Sequence, residues 1–205
     1  MFRDRADAGR QLASLLDRYR DAQRCVVLAL PRGGVPVAAE VARALHLPLD
    51  VLVVRKLGLP GHEEYAAGAI AVGGIHVTGE DAPGMVRVLK RERRELQRRE
   101  REYREHCAPL DLRGMTALLV DDGLATGLSM RAAVIAARAL GAAPVVVAVP
   151  VGSATACDAL KGREPRADEV VCMHAPEPFV AVGNWYRSFG ATTDEEVREI
   201  LAQWR

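Results

Sequence analysis

The chain has 205 residues, of which 28 are lysine or arginine and 27 are aspartate or glutamate, so its formal net charge is only +1. This balance excludes a molecule-wide basic field for nucleic acid, although it does not exclude a local basic patch. Hydrophobic residues make up 49% and charged residues 27%, a composition that is typical of a soluble globular protein and excludes intrinsic disorder.

The cysteines and the N-terminal segment indicate the cellular compartment of the protein. The four cysteines have neither C-x-x-C nor metal-ligand spacing, which predicts reduced thiols and a cytoplasmic location. Residues 1–20 are too charged for a signal peptide, and no apolar run reaches the roughly 18 residues that a membrane span needs. We therefore expect no membrane contact, a single domain over residues 1–205 and, by default, a homodimer.

The first sixty residues predict alternating helices and strands. A helix over residues 7–20 places on one face the apolar residues Leu12, Leu15, Leu16 and Tyr19. The apolar run 25–30 predicts a buried strand that ends at Pro31-Arg-Gly-Gly34, and Pro36 suits the first turn of the next helix. Residues 50–55 predict a second buried strand. Such a unit implies a parallel strand pair with a right-handed crossover.

Residues 58–112 predict an insertion that forms a lid. Its glycine-rich part contains a hairpin, residues 70–77, which turns at Gly73-Gly74. A charged helix follows over residues 85–106, with a narrow apolar stripe of Leu89, Leu96 and Tyr103 and with opposite charges four residues apart. We expect this helix to project from the body and to pack along one thin edge.

The second half of the chain continues the alternation. The predicted elements are a strand over 116–120, a helix over 130–140 that ends at Gly141, a strand over 145–149, a helix over 154–161 capped by Ser153, a strand over 169–173, and a last helix that begins at the capping box Thr193/Glu196. Residues 175–205 would form a small hood. The fold class is α/β, with an open, mostly parallel twisted sheet of about five strands and helices on both faces.

The turn after the third predicted parallel strand carries the most informative chemistry. Asp121 and Asp122 end the strand, and a Gly/Thr/Gly/Ser turn over residues 123–129 then enters a helix. Backbone N–H groups, hydroxyls and a helix N-terminus at such a turn favour a phosphate. The two carboxylates would repel that phosphate, but they suit sugar hydroxyls attached to it. The pattern predicts a ribose-5-phosphate site.

Two other loops leave the same edge of the predicted sheet. They bring the cations Arg32, Arg55 and Lys56, while Gly33 and Gly34 permit close backbone approach. These cations suit a second anionic group on the other side of the sugar. A sugar with a phosphate at one end and a pyrophosphate at the other fits all three loops.

At this point the residues resemble a known family. Residues 120–129, Val-Asp-Asp-Gly-Leu-Ala-Thr-Gly-Leu-Ser, resemble the phosphoribosyl pyrophosphate (PRPP) motif of type I phosphoribosyltransferases. Residues 30–34 resemble that family's pyrophosphate loop, and residues 54–56 resemble its basic strand end. The three motifs occur in the family's order over roughly residues 20–150. The whole chain looks closest to a bacterial subgroup with P-R-G-G, R-K-L-G and W-Y signatures.

The resemblance implies a site and a reaction. The implied reaction transfers a 5-phosphoribosyl group from PRPP to a nitrogenous base or amine and releases pyrophosphate. Asp121, Asp122 and Lys56 would be the catalytic residues. PRPP would be bound by Arg32, Gly33, Gly34, Arg55, Lys56, Asp121, Asp122, Gly123, Leu124, Ala125, Thr126, Gly127, Leu128 and Ser129. The family's first loop often contains a non-proline cis peptide, expected here at Pro31–Arg32 or Arg32–Gly33.

The resemblance also implies partners for the reaction. Mg²⁺ would arrive with PRPP, held mainly by PRPP oxygens and water, with Asp121 and Asp122 assisting at most in part. Trp185 and Tyr186 are candidates for the acceptor pocket, with packing of the last helix as the equally weighted alternative. The lid would come from residues 58–66, which include Glu63 and Glu64, or from the stretch that carries helix 85–106. Ala125 stands where purine-salvage members often have an acid, which weakens a hypoxanthine or guanine assignment.

One alternative function belongs to a different class. The same fold could serve a regulator that senses PRPP or a nucleotide, and the arginine-rich helix could then bind RNA or DNA. We expect nucleic-acid binding to be absent, because acidic and basic residues alternate along residues 90–105. Receiver, dinucleotide-binding and P-loop folds lack the combination of motifs found here.

Overall fold

The computed structural model describes residues 1–60, 62–78, 84–105, 107–162 and 166–205, and the side chains of residues 62–67 and 77–78 lie outside that description. Its helices are α1 (Arg5–Ser14), α2 (Gly34–Leu45), α3 (Met85–Arg104), α4 (Leu128–Ala139), α5 (Ala154–Gly162) and α6 (Asp194–Leu201). Its strands are β1 (Cys25–Ala29), β2 (Leu49–Val51), β3 (Val54–Leu59), β4 (His62–Ala71), β5 (His76–Thr78), β6 (Thr116–Val120), β7 (Val145–Val151) and β8 (Glu169–His174).

The central sheet has five strands in the order β2-β1-β6-β7-β8. Every neighbouring pair in it is parallel. Strands β1 and β7 are buried along their whole length, as expected for near-continuous apolar runs covered on both faces. The register pairs Ala29 with Val120, so the loops after β1 and β6 leave the sheet side by side.

Helices cover both faces of this sheet. On one face α1, α2 and α6 pack over a core that includes Leu12, Val41 and Leu118. On the other face α4 and α5 pack over a core that includes Val134 and Leu160. The predicted α/β fold class is confirmed.

The first helix is shorter than its sequence pattern predicted. It ends at Ser14, and residues 17–19 form a separate 3-10 turn. Leu12 and Leu16 are buried as predicted, but Leu15 is 47% exposed, so its place on the buried face was wrong. The physical reason is that Leu15 lies at the edge of the buried face, which is centred on Leu12 and Leu16.

The predicted strand over residues 50–55 was also wrong, because the chain changes sheets within it. β2 ends at Val51 in the parallel sheet, and β3 begins at Val54 in a separate antiparallel sheet of order β3-β4-β5. The uninterrupted apolar run hides this break. The predicted hairpin corresponds to β4 and β5, and Gly73 and Gly74 have the expected positive φ values of 76° and 78°.

Helix α3 does not project from the body as expected. It packs against β3 and α6. Leu96 and Tyr103 are buried with the main core, as the apolar stripe predicted, but Glu92 and Arg99 are buried beside them. Ion pairs allow these charged side chains to enter the contact. The buried face of α3 is therefore wider than the stripe.

The predicted helix ends in the second half are confirmed. Gly141 follows α4 with φ of 96°. Ser153 Oγ accepts a hydrogen bond from Ala156 N–H at 3.1 Å and so caps α5. Thr193 and Glu196 form the reciprocal capping box at the start of α6. Among the described helices, none combines the length and apolar character needed to cross a bilayer.

Candidate active site

The acidic pair lies at the carboxyl end of β6, beside the loop that follows β1. The Asp122 N–H donates a 2.8 Å hydrogen bond to Asp121 Oδ1. Loss of hydration raises the pKa of Asp121 well above its usual range, and the neighbouring Asp122 charge raises it further. The same loss of hydration raises the pKa of Asp122, although Arg5 acts in the opposite direction. A polar ligand that donates hydrogen bonds to these two carboxyl groups would offset the cost of burying their charges.

Arg5 of α1 is a site residue that sequence reasoning missed. Its Nε donates a 2.8 Å hydrogen bond to Asp122 Oδ2, across 117 positions of sequence. Its Nη1 donates to the carbonyl of Gly190 at 2.6 Å, and the guanidinium lies 3.9 Å from the ring centroid of Phe189. The guanidinium is therefore fixed from three sides. No local motif near residue 5 signals this role.

The glycines of the P-R-G-G loop allow that loop to touch the acidic segment. A Cβ on Gly33 would lie 2.1 Å from Asp122 Oδ2, and a Cβ on Gly34 would lie 2.7 Å from the Val120 carbonyl oxygen. The sequence predicted close backbone approach to a ligand here. The structure shows that the acidic pair itself requires the small residues.

The peptide bond between Pro31 and Arg32 is cis, at one of the two predicted positions. Within the described part of the chain, no group accepts a hydrogen bond from the backbone N–H of Arg32 or Gly33. The Arg32 guanidinium lies 3.7 Å from Asp194 Oδ1. The loop thus offers two N–H groups and a cation in one place.

The loop over residues 123–129 is anchored by its neighbours and leaves a row of N–H groups unused. Leu124 N–H donates to the Val151 carbonyl at 2.9 Å, and Ser153 Oγ donates to the Ala125 carbonyl at 2.9 Å. Gly127 has φ of 77° and directs the chain into α4. The backbone N–H groups of residues 125–129 donate to no acceptor among the described residues.

The residues of this loop differ in their exposure and in the hydrogen bonds that their N–H groups make. Ala125 and Thr126 are exposed, whereas Leu128 and Ser129 begin α4 half-buried. Leu124 is buried and its N–H is already bonded, so it holds the loop and has no N–H left for a phosphate. The unused N–H groups and the start of α4 together form an anion-binding geometry.

The two cations at the start of β3 point in opposite directions. Arg55 donates to Glu92 Oε2 of α3 from Nε at 2.8 Å and from Nη2 at 2.6 Å. Lys56 is exposed and, by strand alternation, lies on the other face. Arg55 is therefore engaged in an ion pair with one carboxylate oxygen of α3, in place of the predicted pyrophosphate contact. Lys56 stays a predicted pyrophosphate ligand.

The aromatic candidates for the acceptor pocket belong to a hood made from both ends of the chain. Phe2 N–H donates to the Trp185 carbonyl at 2.8 Å, and Arg187 N–H donates to the Phe2 carbonyl at 2.9 Å. Tyr186 is buried, and its hydroxyl donates to the Asp122 carbonyl at 2.6 Å. Trp185 is half-buried and stacks on His174. Tyr186 supports the acidic turn, and acceptor binding by Trp185 or Tyr186 stays a prediction.

The lid prediction is tested only in part. The backbone of residues 58–60 and 62–66 lies in or beside β3 and β4, but the side chains of Glu63 and Glu64 fall outside the described residues. The other candidate, α3, is fastened to the body by the buried groups described above. No lid movement follows from the contacts of α3.

The donor set argues against a metal cage built by the protein alone. Among the described residues, no group of three or more acidic, histidine or cysteine side chains could hold an ion. Asp122 is paired with Arg5, and only Asp121 stands next to it. These residues fit a Mg²⁺ ion that is carried by phosphate oxygens and water, which is the usual mode for this ion.

Comparison with known proteins supports the same family. Residues 3–184 match the family described as Phosphoribosyl transferase domain. Proteins from two Mycobacterium tuberculosis strains, each named "Putative phosphoribosyl transferase", are 48% identical to the chain over 209 residues. The alignment covers 98% of this chain and 46% of each relative, so the chain spans about half the length of these relatives.

Solved structures agree with the fold. The crystal structure of TT1426 from Thermus thermophilus has a TM-score of 0.82 and 45% identity, and covers 100% of this chain and 99% of that chain. A hypoxanthine phosphoribosyltransferase from Staphylococcus aureus has a TM-score of 0.50 and 11% identity, covers 86% of this chain and 75% of that chain, and shows likeness of fold alone. With the family match over residues 3–184, the chain belongs to the phosphoribosyl transferase domain family, whose enzymes transfer pentosyl groups.

Proposed function

We propose that this protein transfers a 5-phosphoribosyl group from PRPP to a nitrogenous base or amine and releases pyrophosphate. The observation that carries the proposal is the row of backbone N–H groups at residues 125–129, which donate to no acceptor among the described residues and lie next to the acidic pair. A phosphate accepts hydrogen bonds from N–H groups, and carboxylates accept hydrogen bonds from hydroxyls, so the two features together suit a phosphorylated pentose. Family membership and the names of the mycobacterial relatives support the same chemistry.

In this mechanism the protein positions PRPP and stabilises departing charge. The ribose hydroxyls donate to Asp121 and Asp122, and the 5-phosphate accepts from the N–H groups of residues 125–129 and from the hydroxyls of Thr126 and Ser129. The carbon–oxygen bond to pyrophosphate breaks through an oxocarbenium-like transition state as the acceptor nitrogen attacks the anomeric carbon. Pyrophosphate leaves with both bonding electrons, and the acceptor nitrogen releases its proton to pyrophosphate or water. Because the acceptor attacks the anomeric carbon directly, no covalent nucleophile from the protein is needed.

The leaving group is received by the P-R-G-G loop. The N–H groups of Arg32 and Gly33, the Arg32 guanidinium and the Lys56 ammonium are the groups assigned to it. Mg²⁺ bound to PRPP would neutralise part of the pyrophosphate charge. Arg55 has no part in this step while Glu92 holds it.

Arg5 acts on the ribose end of the same step. Its hydrogen bond fixes Asp122 Oδ2, which leaves the remaining lone pairs of the carboxylate for the ribose. Arg5 thus orients Asp122 and also places a positive charge near Asp121. A fixed carboxylate is a better acceptor than one that must be reoriented at each turnover.

Isothermal titration calorimetry with Mg·PRPP tests the proposal. Asp122→Asn should weaken PRPP binding by about tenfold or more, because the amide replaces a charged acceptor. The matched control Asp111→Asn changes an exposed carboxylate that pairs with Arg113 and should bind as wild type does. Circular dichroism verifies that both variants fold. Equal PRPP affinity in wild type and Asp122→Asn would remove the ribose assignment.

A pyrophosphate-release screen over purines, pyrimidines and orotate then tests the transfer. Turnover with any acceptor supports the enzyme. Binding of PRPP without turnover on any acceptor would instead favour the regulatory module that shares this fold. The absence of PRPP binding by wild type would contradict both the enzyme and a regulator that senses PRPP, and would leave only a regulator that senses a nucleotide.

A further inference from the structure

The cations and the acids of helix α3 differ in their exposure to solvent. Between Met85 and Arg104, every charged residue that is fully exposed is a cation, namely Arg87, Lys90, Arg91, Arg93, Arg94, Arg98 and Arg101. The acids of the same helix are withdrawn, since Glu92 is buried and Glu95, Glu100 and Glu102 are half-buried. The exposed face of α3 is therefore more basic than the alternation of signs along the sequence suggests.

The acids are partly covered by arginine partners. Glu92 accepts hydrogen bonds from Arg55 of β3, the shorter of them 2.6 Å long. Glu95 accepts from the buried Arg99 at 2.7 Å and also from Arg98 on the exposed side. Glu102 accepts from Arg198 of α6 at 2.8 Å and also from Arg98. These contacts leave 7% of the Glu92 side chain exposed, 28% of Glu95 and 20% of Glu102.

Six of the exposed cations form one line, which we call the basic stripe. Five of them, at residues 87, 91, 94, 98 and 101, recur every three or four residues, and Lys90 follows Arg87 by three residues. All six therefore share one side of the helix: Arg87, Lys90, Arg91, Arg94, Arg98 and Arg101. Arg98 is neutralised by Glu95, Glu102 and Asp194, and Arg91 contacts Glu92. The other four have no acidic partner within the described part of the chain. Over 14 residues, the stripe extends about 21 Å.

Like charges three and four residues apart repel one another and weaken a helix. An anionic partner whose charges repeat along a line would relieve that repulsion. The phosphates of nucleic acid have this property. The stripe contains no aromatic side chain, and Tyr103 is fully buried on the opposite side. Single-strand binding sites usually stack bases on aromatic rings, so the chemistry favours a duplex.

A membrane surface fits the stripe less well. Helices that lie on bilayers insert an apolar face beside their cations. The apolar face of α3, which includes Leu96 and Tyr103, is already buried in the protein. Val86 is the one large apolar side chain of α3 that is well exposed, at 80%. The helix therefore presents charge without an apolar surface for lipid tails.

We propose that the basic stripe of α3 binds the phosphate backbone of duplex nucleic acid without reading its sequence. The expectation that nucleic acid would not bind assumed that both signs share the exposed face. The inference goes beyond phosphoribosyl transfer and does not depend on it.

Fluorescence anisotropy with a labelled 20-base-pair DNA duplex tests the proposal. With four phosphate contacts, the affinity should fall with a log–log salt slope of about −3.6, or roughly 150-fold between 50 and 200 mM KCl. The stripe variant carries Arg87→Gln, Lys90→Gln, Arg94→Gln and Arg101→Gln. Glutamine keeps the helix propensity. This variant should lose at least about tenfold in affinity at 50 mM KCl, and its slope should approach zero.

The matched control removes the same charge from scattered positions. It carries Arg18→Gln, Arg24→Gln, Arg113→Gln and Lys161→Gln, all exposed and distant from the stripe in sequence. It should bind the duplex within about twofold of wild type, because only net charge has changed. Unchanged Mg·PRPP affinity and circular dichroism of the stripe variant show that its loss is local. Should the quadruple change unfold the helix, Arg94→Gln/Arg101→Gln should reduce the slope by about half.

Three results would overturn the proposal. They are no duplex binding by wild type at 50 mM KCl, an equal loss of affinity in the stripe variant and its control, and stripe-dependent binding to phosphatidylglycerol vesicles in place of the duplex. None of these results bears on PRPP binding, so failure here leaves the proposed enzyme untouched.

Discussion

The acidic end and the phosphate end of the candidate site are held in different ways. Asp122 is fixed by side chains and backbone from distant parts of the chain, including Arg5 and Gly33. The loop over residues 125–129 is held by the hydrogen bond from Ser153 to the Ala125 carbonyl. Its own N–H groups donate to no acceptor among the described residues. The acidic end is therefore sensitive to single contacts, whereas the phosphate end distributes its binding over several similar N–H groups.

The change Gly33→Ala should break the acidic end most severely. Its Cβ would lie 2.1 Å from Asp122 Oδ2, so the P-R-G-G loop and the carboxylate must move apart. We expect PRPP affinity to fall more than about a hundredfold and the free energy of unfolding to fall by about 2 kcal/mol. Calorimetry and urea denaturation measure the two effects. The control Gly162→Ala meets no atom within 4 Å, and a similar loss there would contradict the prediction.

The change Arg5→Met should be the next largest. It leaves Asp122 without its cation, and we expect about tenfold weaker PRPP binding together with a loss of about 2 kcal/mol in the free energy of unfolding. Arg5→Lys should recover part of the binding, because it restores the charge. Arg3→Met, at an exposed residue that pairs with Asp7, is the control. Tighter PRPP binding by Arg5→Met would mean that Arg5 competes with the ribose.

The change Asp121→Asn should separate stability from binding. The raised pKa of Asp121 means that the folded protein holds this proton more tightly than the unfolded chain, so the contribution to stability is lost as pH rises from the ordinary carboxyl pKa through the raised one. The variant should unfold at a higher urea concentration than wild type at pH 7, by an amount that grows as pH rises above the ordinary carboxyl pKa, yet bind PRPP more weakly.

The control for this pH effect is Asp168, whose substitution should change stability in the opposite direction. The Val145 N–H hydrogen bond lowers the pKa of Asp168, which stabilises the fold above the ordinary carboxyl pKa and not below it. Asp168→Asn should therefore destabilise the protein at pH 7. If Asp121→Asn also destabilises it at every pH, the burial argument for Asp121 is wrong.

The change Ser153→Ala should have the smallest effect, at the phosphate end. It removes the hydrogen bond to the Ala125 carbonyl and the cap of α5. We expect a loss of about 1 kcal/mol in the free energy of unfolding and a reduction of about threefold in PRPP affinity. Ser14→Ala, at the exposed end of α1, should leave affinity unchanged. A loss as large as that for Gly33→Ala would contradict the contrast between the two ends.

How far the sequence predicts this site depends on whether its parts are contiguous. Asp121, Asp122 and the phosphate loop lie in one segment after a buried strand, so their proximity follows from local geometry alone. Arg5 contacts Asp122 only because α1 packs under the hood, which no local pattern encodes. Arg55 shows the reverse case, since its predicted ligand role could not anticipate Glu92, 37 positions away.

The fold shows the same division. Strands β1, β6 and β7 are isolated apolar runs and were predicted nearly to the residue. The change of sheet between Val51 and Val54 was missed, because residues 52 and 53 are as apolar as the strands on either side. Hydropathy describes burial, but it does not describe which neighbour a strand pairs with.

The position of Asp194 links two regions that were described separately. Its carboxylate lies 3.7 Å from Arg32 of the P-R-G-G loop and 2.9 Å from Arg98 of α3. Although burial acts to raise it, the pKa of Asp194 is lowered on balance by hydrogen bonds from Tyr103 and Arg98. An anion that drew Arg32 away from Asp194 would leave that carboxylate to Arg98, and an anion that drew Arg98 away would leave it to Arg32. Thermodynamic reciprocity would then require that occupancy at either place change affinity at the other by the same factor.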